Sequence, residues 1–185
     1  IPNIVVLTTP TTAMTRSGTA VLDPETGHRV ELFDPKTRPT AVFMDTDALL
    51  TAPPWLCLSA AASCFSGVVG ALQAPEQINP LAEGDLIQAM NLLVRDMPLV
   101  KSQPDNGQVR IDLCAAAFLM NRSMDSGAGG SALGVVSSLA HSLDSGYPEC
   151  SHGDAYAILT APGISFNRVF NLSGQDEILS YVTAP

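Results

Sequence analysis

Hydrophobic positions along the chain follow two different periods, and the change lies near residue 50. Before it, short apolar runs rich in β-branched residues are separated by turn sequences such as DPETGH and DPKTRP, which is typical of strands. We predict strands at residues 4–9, 19–22, 29–33 and 41–44. The first 50 residues are therefore expected to form a β-rich segment.

The pattern after residue 50 is that of helices. In the segment 80–100, Leu86, Met90, Leu93 and Met97 recur every three or four residues, which is the spacing of one helix face. We predict helices at residues 55–74 (with Ser63 as a candidate break), 80–100, 108–123, 133–143, 155–170 and 176–182. The predicted fold class is mainly α, with a helical bundle domain at residues 51–185 after a small β-rich segment at residues 1–50.

Composition favours a single folded unit whose surface is partly covered. The chain has 185 residues, of which 46% are hydrophobic and 15% are charged, so it can bury a sizeable core. So few charges indicate that a partner domain or subunit covers part of the surface. The net charge of −9 and the lack of any Lys/Arg-rich run argue against a nucleic-acid-binding protein, which needs clustered cations.

Cysteine use and hydropathy predict the compartment. Three of the four cysteines lie in apolar helical segments and no pair has Cys-x-x-Cys spacing, so we expect buried free thiols in a cytoplasmic protein. We expect no membrane span, because no clean apolar stretch of about 18 residues is recognised, and no signal peptide, because no basic segment precedes an apolar one. The chain starts without Met and runs directly into an apolar strand, so it is expected to begin inside a larger protein.

Two of the three histidines, His141 and His152, bracket a turn with Gly and Pro between two predicted helices. If both helices line one cleft, these side chains face it, where histidine can bind a metal or move a proton near neutral pH. Spacing alone favours a plainer interpretation, with one histidine at a helix end and the other in a surface turn, because His-x10-His is not a specific metal signature. Both interpretations stay open at this point.

Three weaker candidates for chemistry lie elsewhere. Ser137 is near a histidine, but no Gly-x-Ser-x-Gly elbow surrounds it. Cys150 precedes His152 by two residues and is a candidate activated thiol, although a turn residue is the more common case. Asp45 and Asp47 form an Asp-x-Asp pair at a strand end, a candidate cation site for which a polar loop is the more common explanation.

A series of landmarks along the chain resembles one known family in order and in spacing. The landmarks are PTTAMTRSG at residues 10–18, Arg29 in a hairpin, Pro39 to Asp45, Pro53-Pro54, CFSGVVGALQA at residues 64–74, SSLAH at residues 137–141, His152-Gly153 and PGISFN at residues 162–167. Together they resemble the iron-containing alcohol dehydrogenase family, whose relatives include the maleylacetate reductases. The resemblance covers nearly the whole chain and implies the C-terminal region of the dehydroquinate synthase-like fold.

The resemblance implies that the metal site of this family is degenerate here. The family holds its metal with an Asp and a His one turn apart on one helix and with two further His. The first three of these positions fall on Ser66, Gly70 and Ser137, and only the last ligand is retained, as His152. One His cannot supply the three or four ligands that a transition metal needs, so we expect no bound metal. His141 matches an additional, non-ligand His of the family near the reacting end of the cofactor.

The resemblance also implies NAD or NADP as the cofactor. The expected cofactor-binding residues, in the loop that follows the first strand, are Thr11, Thr12, Thr15, Arg16 and Ser17. Met14 and Arg16 replace two glycines of the family loop, and Gly18 replaces its acid. The nucleotide-binding half of the family is not in this chain, and neither are its last helices. We therefore expect a partner subunit or further sequence to supply the missing half, in an oligomer.

Three functions are consistent with these residues. The first is the helical, substrate-side portion of an NAD(P)-dependent alcohol dehydrogenase or reductase, metal-independent like the maleylacetate reductases, with His141 or His152 as the catalytic proton donor. The second is a non-catalytic structural or regulatory subunit that keeps the fold. The third is a new lyase or hydrolase chemistry in the same cleft, using His152 with a nearby acid such as Asp154 or Glu149.

Overall fold

Two small sheets form the first part of the chain. The computed structural model describes residues 2–27, 29–74, 78–128, 130–147 and 149–182. The first sheet pairs β1 (Ile4–Val6) with β4 (Ala41–Phe43) in parallel, and the second is an antiparallel hairpin of β2 (Gly18–Leu22) and β3 (Arg29–Phe33). Two 3-10 turns, Thr12–Thr15 and Pro35–Thr37, lie between the strands. β1 and β4 are shorter than predicted.

Helices make up the rest of the described chain. They are α1 (Thr46–Leu50), α2 (Pro54–Leu72), α3 (Pro80–Asp96), α4 (Leu99–Ser102), α5 (Gly107–Asp125), α6 (Gly134–Gly146), α7 (His152–Asn167) and α8 (Leu172–Val182). The predicted fold class, mainly α with a helical bundle after a β-rich segment, is confirmed.

Helix ends differ from the predicted ones where local hydrogen bonds decide them. α7 begins at His152, three residues earlier than predicted, because the Ser151 hydroxyl accepts a hydrogen bond from the N–H of Asp154 and caps the helix. The predicted break in α2 is wrong, since the Ser63 hydroxyl donates to the carbonyl of Ala60 without interrupting the helix. The predicted helix at residues 80–100 ends at residue 96, and Pro98 stands before the separate α4.

The hydrophobic core lies where α2, α3 and α5 meet. Its fully buried members include Val68 from α2, Leu86 and Leu93 from α3, and Leu113 from α5. α2 is long and apolar enough to cross a membrane, so the expectation that no such stretch exists is wrong. However, 61% of this window is buried inside the protein, which is what a core helix of this bundle requires.

α7 crosses α2 with almost no space between the two backbones. A Cβ atom at Gly153 would overlap the carbonyl oxygen of Ser59, so only glycine fits there. The hydroxyls of Ser59 and Ser151 lie 2.7 Å apart at the same crossing. This contact fixes the first turn of α7, and with it the backbone of His152, against α2.

Apolar side chains are exposed at several places on the described surface, of which two bear on possible partners. Ile4 is 61% exposed and Phe43 is 55% exposed on the small parallel sheet. Val169 and Phe170, after α7, are 85% and 81% exposed. Parallel sheets in proteins are normally covered on both faces, so the outer face of β1 and β4 lacks its usual cover in this chain.

Candidate functional site

One cleft brings together residues from five elements of the chain. It has a volume of about 430 Å³ and lies between the turn after β1, α2, the end of α5, and the first halves of α6 and α7. Cavities of this size hold small ligands. The predicted site residues that line it are Thr12, Arg16, Ser66, Ser137, His141 and His152.

The two histidines lie side by side in this cleft. The ring centroids of His141 and His152 are 4.8 Å apart and the rings are nearly perpendicular, at 78°. The structure therefore favours the one-cleft interpretation over a helix end and an unrelated surface turn. Their role in chemistry remains a prediction.

His152 has an acidic partner that we did not predict. Its Nδ1 atom lies 3.4 Å from the Oδ2 atom of Asp144, whose side chain is only 12% exposed. Asp154 and Glu149, the acids considered from the sequence, are both exposed. The N–H of Asp154 is used in capping α7, and neither residue lines the cleft. Asp144 does not line the cleft either, but it is the acid whose carboxylate faces the His152 ring.

A pair of hydroxyl groups lies beside the histidines. The Ser137 Oγ and Tyr156 Oη atoms are 2.9 Å apart, and the Tyr156 ring packs edge-on to His152 with a centroid distance of 5.0 Å. The Nδ1 atom of His141 lies 2.7 Å from the carbonyl oxygen of Ser137. Since a carbonyl only accepts, this nitrogen carries a hydrogen, and Nε2 is the remaining site for a proton. One side of the cleft is thus formed by groups that can donate protons.

The three positions where the resemblance expects metal ligands are placed differently around the cleft. Ser66 and Ser137 line the cleft, but Gly70 does not. A Cβ atom at Gly70 would lie 2.5 Å from the Oγ atom of Ser131, so another side chain already occupies the direction a ligand would need. Among the described residues, no group of three or more His, Cys, Asp or Glu is arranged to hold a metal ion. The expectation that no metal binds stays a prediction.

The predicted cofactor loop reaches the cleft at only two of its five residues. Thr12 and Arg16 line the cleft, and Arg16 is exposed at it. The Thr11 hydroxyl accepts from the N–H of Ala13 and caps the 3-10 turn. Ser17 is buried, and Thr15 is not part of the lining.

Met14, which stands where the resemblance expects a glycine, is buried in the core and does not line the cleft. Its side chain is 2% exposed and belongs to the hydrophobic core. It therefore anchors the loop to the bundle and leaves the cleft open. Arg16 is the loop substitution that changes the cleft itself.

The weaker candidates have structural explanations. Asp45 caps α1, a helix that the sequence pattern did not predict, by accepting a hydrogen bond from the N–H of Ala48. Cys150 is half-buried outside the cleft lining. Burial raises the pKa of the thiols of Cys64 and Cys114 to about 12, which leaves them protonated and inert as nucleophiles near neutral pH.

Two site residues were missed, although their spacing offered a signal. Tyr156 follows His152 by four residues, so a helix beginning at His152 places both on one face. Asp144 follows His141 by three residues on α6. The prediction started α7 three residues too late, which left His152 in the turn and hid the first relationship.

Comparisons with known proteins identify the fold. No protein-family model matches the sequence, and no curated protein sequence matches it. The maleylacetate reductase from Rhizobium sp. strain MTP-10005 matches in structure with a TM-score of 0.80 at 19% identity, over 98% of this chain and 50% of that one. The alcohol dehydrogenase from Oenococcus oeni matches with a TM-score of 0.85 at 22% identity, over 99% of this chain and 46% of that one.

A third match contains a nucleotide. The sulfoacetaldehyde reductase from Bifidobacterium kashiwanohense, solved in complex with NAD+, matches with a TM-score of 0.77 at 15% identity, over 90% of this chain and 43% of that one. The chain therefore has the fold of one half of these reductases and dehydrogenases, as the sequence resemblance predicts. It spans about half the length of the solved structures it matches.

Proposed function

We propose that this chain is the substrate-side half of an NAD(P)-dependent oxidoreductase of the alcohol dehydrogenase or reductase type, and that it works without a metal. The observation that carries the proposal is the group of His152, Tyr156 and Ser137 in the lining of a ligand-sized cleft, with the Asp144 carboxylate 3.4 Å from the His152 ring. The solved structures with this fold are reductases and dehydrogenases, which supports the reaction class.

The donor set supports the metal-independent form of the proposal. A metal in such an enzyme polarises a carbonyl oxygen, and at least three fixed ligands are needed to hold it. Here two ligand positions are the hydroxyls of Ser66 and Ser137, and the third is Gly70, crowded by Ser131. In this proposal, hydroxyl and imidazole groups stabilise the charge on a substrate oxygen in place of a metal.

His152 is the residue we propose as the proton donor. Because its Nδ1 atom faces the Asp144 carboxylate, we assign Nε2 as the atom that gives a proton to a substrate oxygen. The Tyr156 hydroxyl, bonded to Ser137, is a second donor beside the same ring. His141 stands next to His152 with its Nε2 free to relay a proton.

Thr12 and Arg16 are the residues through which we propose that this chain contacts the cofactor. Their hydroxyl and guanidinium groups suit a ribose or a phosphate at the cleft entrance. When bound, a reduced nicotinamide supplies the hydride. We propose that a partner subunit or further sequence brings most of the nucleotide site and covers the apolar face of β1 and β4, where Ile4 and Phe43 are exposed. The three buried free thiols suit the cytoplasmic location that this proposal includes.

The proposal is tested on the complete assembly, whose second half is identified by sequencing the full transcript and isolating the native complex. Oxidation of NADH and NADPH is followed against a panel of aldehydes and oxo acids. We expect turnover that His152→Gln reduces about 10²- to 10⁴-fold, the usual cost of losing a positioned acid. Tyr156→Phe should also reduce turnover, whereas Tyr147→Phe is the matched control, because Tyr147 is exposed outside the cleft lining.

A non-catalytic structural or regulatory subunit is the second candidate. The observation that favours it is the extent of exposed apolar surface, including Val169 and Phe170, together with the crowded Gly70 position. In that case the assembly binds no nicotinamide nucleotide, measured by NADH fluorescence. His141→Gln and His152→Gln would then leave its biological activity intact.

A further inference from the structure

We propose that the cleft holds a binding site for an oxyanion, a carboxylate or a phosphate group, formed by Ser66, Arg16 and the N-terminus of α6. The anion site rests on the proposed function only for the identity of the molecule that carries the anionic group. A carboxylate would belong to the substrate, and a phosphate would belong to the nucleotide. The shared chemistry is a negatively charged group that accepts several hydrogen bonds.

Ser66 supplies the first observation. The residue is 2% exposed, yet it lines the cleft, and its hydroxyl makes no hydrogen bond with any described residue. Buried polar groups in proteins are almost always hydrogen-bonded, because leaving one unpaired costs stability. Ser63 also lines the cleft one turn earlier, but its hydroxyl already donates to the carbonyl of Ala60 at 2.8 Å. Ser66 therefore presents to the cleft a hydroxyl that no described protein group uses.

The N-terminus of α6 lies against the same part of α2. The N–H of Ala132 donates to the carbonyl of Gly70 at 2.9 Å, and Gly70 is one helical turn beyond Ser66. No side chain caps α6, and its first turn contains no acidic residue. Gly134, its first residue, lines the cleft with no atom within 4 Å of the position a Cβ would take. Unpaired N–H groups and the helix dipole make such an end a site for anions.

Arg16 brings a full positive charge to this cleft. Its guanidinium forms no ion pair with a described residue, although the chain carries 18 acidic residues against nine basic ones. The described lining contains Arg16, His141 and His152 and no Asp or Glu. The acid that the site includes, Asp144, lies outside the lining and faces His152 rather than Arg16. In a protein of net charge −9, a lining with a guanidinium and two imidazoles and without a carboxylate favours an anion.

The test is calorimetric titration of the 185-residue chain with sodium malonate and with sodium pyrophosphate, at an ionic strength held constant with sodium chloride. We expect saturable binding of at least one of them at one site per chain. Arg16→Gln should weaken it roughly 10-fold or more, since a charged hydrogen bond is lost. Gly134→Asp should abolish binding, because it puts a carboxylate at the open position without crowding the helix.

Matched controls separate the site from general charge effects. Arg168→Gln removes the same charge from an exposed residue outside the lining, and Gly84→Asp adds the same charge at another uncrowded helix position. Both should leave binding within about twofold of the unmodified chain. Ser66→Ala should weaken binding more than Ser63→Ala.

The outcomes are distinct. Tighter binding of malonate assigns the site to a substrate carboxylate, and tighter binding of pyrophosphate assigns it to a nucleotide phosphate. No binding above the chloride control overturns the site, and so does equal weakening by Arg16→Gln and Arg168→Gln. The complete assembly can also bind the anion and yet have no reductase activity. That result would reject the proposed function and would still support the anion site.

Discussion

The Nδ1 atom of His152 lies 3.4 Å from the Oδ2 atom of Asp144, so the proposed proton donor has a carboxylate beside its ring. Asp144→Asn keeps the shape of the side chain and removes its charge. We expect kcat of the complete assembly to fall about 10- to 100-fold with little change in KM, because the ring loses its orienting partner. Asp154→Asn is the control, since that exposed acid does not line the cleft. Equal effects of both variants would contradict the role of Asp144.

Metal content is the second prediction. We expect the purified protein to carry no stoichiometric iron or zinc, because the family ligand positions are Ser66, Gly70 and Ser137. Elemental analysis checks this, and about one tightly bound transition metal per chain would be evidence against it.

Rebuilding the metal site should need more than the three ligands. In a variant with Ser66→Asp, Gly70→His and Ser137→His, the new side chain at position 70 meets the Ser131 hydroxyl, 2.5 Å from its Cβ. We therefore expect zinc binding only when Ser131→Gly is added. Zinc titration of both variants distinguishes the two cases.

Packing at the crossing of α2 and α7 gives a stability prediction. Gly153→Ala forces a Cβ into the carbonyl of Ser59, so we expect the free energy of unfolding to fall by about 3 kcal/mol. Gly84→Ala is the matched control, because that helix position is open and alanine should stabilise it by about 0.5–1 kcal/mol. Urea denaturation measures both, and similar changes in the two variants would refute the close contact.

Buried thiols make stability depend on alkaline pH. The pKa values of Cys64 and Cys114 are about 12 in the folded protein, and a thiol in an unfolded chain ionises near about 8.5. Between these values the unfolded state has lost protons that the folded state keeps, so the free energy of unfolding falls as pH rises above about 8.5. Urea titrations at several pH values should show a shallower decline in Cys114→Ala and an unchanged one in Cys150→Ser. An unchanged decline in Cys114→Ala would contradict this origin.

Association is the last prediction. We expect the isolated chain to self-associate or to pair with its second half, because Ile4 and Phe43 expose the apolar face of a parallel sheet. Light scattering at micromolar concentration checks this, and a well-behaved monomer counts against it. Phe43→Lys should reduce the association. Leu81→Lys, at an 81% exposed position on α3, should not.

Local patterns in the sequence predicted most elements but not their ends. The four strands, and helices such as α3 with Leu86, Met90 and Leu93 on one face, follow from periodicity. The start of α7 depends on one hydrogen bond to Ser151, which a periodic pattern does not encode. α1 depends in the same way on the Asp45 cap.

The site was predictable only in part, because its residues meet through tertiary packing. The landmarks identified His141, His152 and the degenerate positions, which the structure places around one cleft apart from Gly70. Nothing local indicates that Ser131 fills the space beside Gly70, or that Met14 turns into the core and leaves Arg16 at the cleft. Those facts depend on how α2, α6 and the loop after β1 pack.

The close approach of Gly153 to Ser59 has a consequence for how this fold is recognised in other genomes. A chain without any catalytic activity must still keep glycine here so that its helices can cross, so the glycine of a His-Gly pair reflects packing rather than chemistry. Search patterns that score this pair as a hallmark of activity will count inert relatives as enzymes. An acid at the position of Asp144 and a tyrosine four residues after the histidine would make a more discriminating pattern.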